Sequence, residues 1–142
     1  MKGDIIMTTD RKTLALEYLT AVGKQQYDKL RALLAPDLQF RGPAKTRTSA
    51  EDYLGALKRL GAIHVRNDIK RVFVDGDEVC VIYDFVTDTT AGALPTIEWL
   101  RFDGGRIRSI DLYYDQLPWQ TVMAAMAERA ERSARPAAES VV

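Results

Sequence analysis

Histidine and cysteine are almost absent from this chain: 142 residues contain one of each, His64 and Cys80. Structural and catalytic metal sites draw on clusters of these side chains, so no metal site is expected. A lone cysteine forms no internal disulfide, and Cys80, flanked by Val79 and Val81, reads as a buried, inert thiol rather than a nucleophile. His64 reads as an exposed or edge residue near a strand start, not as a catalyst. Charge of one sign is missing too, since twenty basic and twenty acidic residues cancel. Without a basic field, neither nucleic acid nor an anionic membrane is an expected partner. No run is apolar enough to cross a bilayer and the N-terminus carries no signal-peptide pattern, so a cytoplasmic protein is expected. Glycine-rich phosphate loops, nucleophile elbows and Cys–His pairs are also lacking, and no cofactor is expected.

What the chain does have is a clear change of hydrophobic period. From Asp10, a helical stripe runs through Leu14, Tyr18 and Ala21, and a shorter one through Tyr27, Leu30, Leu33 and Leu34, which Pro36 should end. Leu38–Arg41 alternates like a strand. Thr48 and Glu51 have capping-box spacing and open a third helix through Tyr53, Leu54, Leu57 and Leu60. The period then falls to two. Strands are expected over residues 63–74, 78–89, 96–102 and 107–115, with turns at Asp75-Gly76-Asp77 and Asp103-Gly104-Gly105. Pro118 opens a last amphipathic helix. The layout is α+β: residues 1–9 form a flexible leader, 10–132 one domain and 133–142 a disordered tail.

Glu98 is the odd residue of this pattern. It stands in Ile97-Glu98-Trp99-Leu100-Arg101-Phe102, a segment otherwise built like a central strand. A buried carboxylate must be paired, protonated or wetted. Either it lies in an apolar pocket, a setting for acid–base chemistry, or it is bridged to Arg101, Arg108 or another strand arginine.

The phrases Leu33-Leu34-Ala35-Pro36-Asp37-Leu38-Gln39-Phe40, Asp75-Gly76-Asp77-Glu78-Val79 and Asp103-Gly104-Gly105-Arg106-Ile107, closing on Tyr113-Tyr114-Asp115, resemble the nuclear transport factor 2-like superfamily, and within it the SnoaL-like branch. The resemblance spans about Asp10 to Met126. It implies a cone-shaped barrel, a curved, mostly antiparallel sheet wrapped around three N-terminal helices, with a further helix at the C-terminus. Relatives include ketosteroid isomerases, polyketide cyclases, limonene epoxide hydrolases and dehydratases. By resemblance to the isomerases, Tyr18 and Glu98 take the places of the pair that holds an enolate oxygen, while Gly42 occupies the place of the catalytic base. The hydrolase set is not matched, with Phe40, Gly42 and Leu112 at three of its positions.

If the loop at Gly92 folds its strands symmetrically, Asp84 lies opposite Glu98. The inward set is then Ile82, Asp84 and Val86; Thr96, Glu98 and Leu100; and Ile110, Leu112 and Tyr114. A slip of one residue reverses it. On this pairing Asp84 is a candidate proton carrier, with Glu98 and Tyr18 holding a substrate oxygen, in a pocket lined by Phe40, Ile82, Val86, Leu100, Ile110, Leu112 and Tyr114. Asp115 suits a cap or turn before Pro118. The resemblance also implies a homodimer through the convex sheet face, where Ile97, Trp99 and Tyr113 would lie. Two functions stay open: a cofactor-free isomerase, cyclase or dehydratase of a small apolar molecule, or a non-catalytic binding or dimeric interaction module.

Overall fold

The computed structural model describes residues 10–134. The expected leader, residues 1–9, and residues 135–142 of the expected tail lie outside the described residues, whereas Ser133 and Ala134, the first two residues of that tail, are helical. Helix α1 (Arg11–Gly23) starts on Asp10, whose carboxylate accepts the Thr13 N–H at 2.7 Å, the usual way to satisfy a free first-turn donor. It buries Leu14, Ala15, Tyr18, Leu19, Ala21 and Val22. Helix α2 (Tyr27–Leu33) passes directly into strand β1 (Leu34–Arg41). Leu34, expected in the helix, is thus the first residue of β1, and Pro36 lies inside β1, beyond the helix end it was expected to mark. It falls where the ladder is interrupted, between the pairs Leu34–Ile107 and Gln39–Ser109, so its missing N–H costs no ladder bond.

A two-residue strand β2 (Thr46–Arg47) precedes helix α3 (Ala50–Leu60). The cap of α3 is Ser49, one residue past the expected Thr48: its hydroxyl accepts the Asp52 N–H at 3.1 Å. Strands β3 (His64–Asp75), β4 (Glu78–Thr87), β5 (Ala93–Asp103) and β6 (Arg106–Tyr114) follow, then helix α4 (Gln116–Ala134). Asp115 caps α4 by accepting the Leu117 N–H at 3.0 Å. The strands form one curved sheet in the order β2-β1-β6-β5-β4-β3. The β1–β6 pair is parallel and every other pair antiparallel. The sheet does not close on itself, leaving β2 and β3 as its edges.

Alternation sets the two faces. Val79, Val81, Tyr83 and Phe85 of β4 and Leu94, Thr96, Glu98, Leu100 and Phe102 of β5 are buried on the concave side. Helix α1 lies in that curl, with Tyr18 fully buried. No described helix is long and apolar enough to cross a membrane.

Candidate functional site

The sequence forces a problem at the middle of β5. Glu98 points into the cone and is 3% exposed. Neither Arg101 nor Arg108 reaches it. Arg101 lies on the opposite face, stacked 3.6 Å over the Trp99 ring and 3.9 Å from Asp111. Tyrosines meet the carboxyl group instead. Tyr18 donates to Oε1 at 2.9 Å and Tyr83 donates to Oε2. Tyr53 is hydrogen-bonded to the Tyr18 hydroxyl. The result is a continuous chain, Tyr53–Tyr18–Glu98–Tyr83, assembled from α3, α1, β5 and β4.

Burial dominates the electrostatics of this cluster. Removal from water raises the Glu98 carboxyl above its ordinary value of 4.5, against the lowering effect of hydrogen bonds from Tyr83 and Tyr18. The hydroxyls of Tyr18, Tyr53 and Tyr83 are held well above 10, first by burial and then by the charge of Glu98. All three tyrosines therefore remain proton donors at neutral pH. If Glu98 is protonated on Oε1 the Tyr18 bond reverses, so that Glu98 donates to Tyr18, Tyr18 to Tyr53, and Tyr53 onward, because each hydroxyl can both donate and accept. That is a proton path from a buried acid to a cavity wall.

The cavity is about 380 Å³, within the usual range for small-molecule sites. Glu98, Tyr83, Tyr53 and Thr96, all nearly inaccessible, form its polar depth. Phe40 stacks on Tyr53 at 4.8 Å, fixing that ring. Phe85, Tyr114 and Trp119 form an aromatic wall, with Trp119 5.4 Å from Phe85 and 5.1 Å from Tyr114. The Trp119 Nε1 atom is buried without a hydrogen-bond partner. An unmet buried donor costs about 1–3 kcal/mol. Met123 and Met126 of α4 complete the wall with adaptable thioethers.

The structure brings Tyr18 and Glu98 together, but Tyr18 stands behind the wall rather than in it. Tyr53 and Tyr83 are the tyrosines of this cluster that line the cavity. Phe40, Leu112 and Tyr114 line the cavity as expected. Leu100 and Ile110 face inward but are fully buried in the core and do not line it. Ile82, Asp84 and Val86 are on the other face. Val81, not Asp84, lies opposite Glu98, and Asp84 lies opposite Pro95. The offset of three positions is odd, so it inverts every side chain of β4. Its cause is the β4–β5 loop. Thr87 donates its hydroxyl to the Gly92 carbonyl at 2.8 Å, and Thr89 accepts the Ala91 N–H at 3.2 Å, moving the turn earlier than a loop centred on Gly92's neighbourhood would. Asp84 instead faces Lys70 at 3.2 Å.

Tyr53 and Tyr83 are the site residues that sequence reasoning missed. Tyr53 looked like one more apolar position on a helix stripe, and Tyr83 fell on the wrong parity. His64 stands on the edge strand β3 but is buried, not exposed. It stacks on Phe85 at 3.9 Å, its Nε2 is 2.8 Å from Asn67 Oδ1, and burial lowers its pKa. Cys80 is half-buried and free, and burial raises its thiol. On the convex face Ile97 and Tyr113 are exposed, while Trp99 lies under Arg101 and donates to Glu78 at 2.7 Å. Among the described residues, no three His, Cys, Asp or Glu side chains are grouped to hold a metal ion.

The profile of the SnoaL-like domain family matches residues 15–110. Comparison with curated protein sequences finds no match. Among solved structures, a nuclear transport factor 2-like protein of unknown function from Cytophaga hutchinsonii superposes with a TM-score of 0.69 at 21% identity, covering 79% of this chain and 96% of that one. A ketosteroid isomerase candidate from Kribbella flavida gives 0.65 at 19% identity, covering 74% and 77%. A SnoaL-like polyketide cyclase candidate from Shewanella putrefaciens gives 0.65 at 18%, covering 89% and 92%. At these identities the likeness shows the fold alone.

Proposed function

This chain belongs to the SnoaL-like domain family, and we propose that it binds a small, largely apolar organic molecule in the cone and assists proton transfer at one of its oxygens. The observation that carries this reading is Glu98, a buried acid joined to three tyrosine hydroxyls, two of which belong to cavity-lining residues. With Glu98 protonated and donating to Tyr18, Tyr18 can donate to Tyr53 and Tyr53 to a carbonyl oxygen, a bond that strengthens as that oxygen acquires negative charge, while Tyr83 keeps its hydrogen on Glu98. Glu98 supplies the proton and Tyr18 relays it, without touching the ligand. Cofactor-free isomerisation, cyclisation or dehydration all pass through such an oxygen.

A second reading rests on its own observation. Among the described residues Glu98 is the only carboxylate of the cavity wall, and Gly42, at the place where the resemblance puts a base, lines the wall with no side chain. A pocket with an acid but no base fits a non-catalytic ligand-binding module. In either case we propose that two copies pair through the convex face bearing Ile97 and Tyr113.

Titration with planar phenols, which mimic an enolate, tests the pocket. Wild type should bind them, and Tyr53→Phe and Glu98→Gln should each weaken binding by about tenfold, the worth of one good hydrogen bond. Equal affinity in all three proteins would remove the oxygen-holding role. Turnover of a bound β,γ-unsaturated ketone then separates enzyme from module.

A further inference from the structure

We infer that the ligand of this cavity is a carboxylate, an apolar body carrying an anionic group at the mouth and an oxygen at the depth; this rests on the pocket reading above. The ionisable residues of the cavity wall are sharply unbalanced. Lys45, Arg47 and Arg59 are cationic, and the one acid, Glu98, is buried at the far end. Arg47 is already spoken for, 2.9 Å from Asp52. Among the described residues no ion pair or hydrogen bond engages the side chain of Lys45 or of Arg59, and both side chains are exposed where the cavity opens.

The two cations are placed by different elements. Lys45 is in the short β1–β2 turn, where its carbonyl accepts the Gly42 N–H at 2.9 Å. Arg59 is in the last turn of α3. Both line the same cavity and both are exposed, so an anion at its exposed end has two cations to draw on. A carboxylate accepts from a guanidinium and an ammonium at once, and charge-assisted bonds of this kind are the strong ones. A neutral hydrocarbon would gain nothing from them.

Cations at the exposed end of the cavity suit a molecule that carries an anionic group there. The apolar lining of Phe40, Phe85, Leu112 and Met126 suits its body.

Calorimetric titration of the full chain with matched acids and methyl esters tests this: 4-hydroxybenzoate, 4-hydroxycinnamate and 6-hydroxy-2-naphthoate, with 2-naphthol as the neutral reference. The series varies the distance from phenol oxygen to carboxylate. At neutral pH at least one acid should bind about tenfold more tightly than its ester. That advantage should shrink as salt rises from about 0.05 to about 0.5 M. In the Lys45→Gln, Arg59→Gln double variant, acid and ester should bind alike. Esters equal to their acids throughout the series would overturn the inference, as would a preference that survives in the double variant. The two readings fail separately. If 2-naphthol and the esters bind and weaken in Glu98→Gln but no acid gains, the pocket stands and the anionic ligand falls. If nothing in the series binds, both fall.

Discussion

Tyr83 and Glu98 meet diagonally across β4 and β5. Tyr83 is the register partner of Thr96 and Glu98 that of Val81, yet the Tyr83 hydroxyl donates to Glu98 Oε2. Side chains two positions apart share a face, and a tyrosine is long enough to span the diagonal. The carboxyl is thus held from the sheet by Tyr83 and from α1 by Tyr18, in a region with almost no water. Its position is fixed before any ligand arrives, which is what a group meant to meet charge on a substrate oxygen requires.

Burial of Glu98 makes stability depend on pH. Its folded pKa is raised above 4.5, so the fold favours the protonated form. That favourable contribution is complete below 4.5 and is lost as pH rises through the folded value. Glu98→Gln keeps a neutral group of similar shape and escapes this loss. The melting temperature of the variant relative to wild type should therefore climb between about pH 4.5 and pH 8. A constant difference over that range would show that Glu98 is not neutral in the fold.

The Tyr83–Glu98 contact should also appear as coupling. Tyr83→Phe removes a buried donor to an acid and should cost about 1–3 kcal/mol in chemical denaturation. In a Glu98→Leu background the same change should cost clearly less, with an interaction energy of about 0.5–3 kcal/mol, typical of residues in one hydrogen-bond network. Additive costs would mean that the two side chains do not act together.

Asp84→Asn separates the two faces of β4. Asp84 pairs with Lys70 on the convex side, and a partly exposed pair of this kind is worth no more than about 1 kcal/mol. Phenol affinity should stay as in wild type, and stability should change by less than that amount. Loss of binding in Asp84→Asn would return Asp84 to the pocket.

Much of the fold was legible because it rests on periods. The stripe on α1, the two-residue alternation from β3 onward and the glycine turns read directly, and β5–β6 pairing gave Thr96, Glu98, Leu112 and Tyr114 their true face. The β4 face did not read, because parity depends on a single loop. Threonine hydroxyls at positions 87 and 89 set that loop, and a symmetric fold about its glycine region misses by an odd count. Glu98 was legible as an acid out of place. Its partners were not. A helix stripe tyrosine such as Tyr53 and a core tyrosine look alike until α3 is laid against the sheet. Pro36 does follow the end of α2 at Leu33, but it hid the early start of β1 at Leu34, because an interrupted parallel ladder accepts a proline.

The convex face gives a prediction about assembly. Ile97 and Tyr113 are register partners of β5 and β6, 38% and 51% exposed. If two copies pair there, Tyr113→Lys places like charges against each other at the centre of the contact. Sedimentation should show a dimer for wild type and a shift to monomer for the variant. A wild-type monomer at high concentration would discard the pairing.

Gly42 offers the sharpest distinction between enzyme and module, because it lacks a side chain where a base is needed. A Cβ there would lie 3.3 Å from Phe40 Cζ and 3.4 Å from Cε2, a tight fit against the far end of one ring. Gly42→Asp should therefore fold at a modest cost, of about 1 kcal/mol, and set a carboxylate at the cavity wall facing the hydroxyls of Tyr53 and Tyr83. An acid-assisted oxygen and a positioned base together lower the barrier to removing the α-proton of a ketone, and a general base typically contributes about 10²–10⁴-fold. Deuterium exchange at that carbon, followed for a β,γ-unsaturated ketone that binds wild type, should accelerate in Gly42→Asp. Glu98→Gln in the same background should reverse most of the gain. Acceleration would mean that the acid half of the machinery is present and competent and that only the base is wanting, which favours the module in the natural chain. Wild type that already exchanges the proton as fast as the variant would mean that a base is supplied by water or by the ligand itself, and the enzymatic reading would then hold without any help from residue 42.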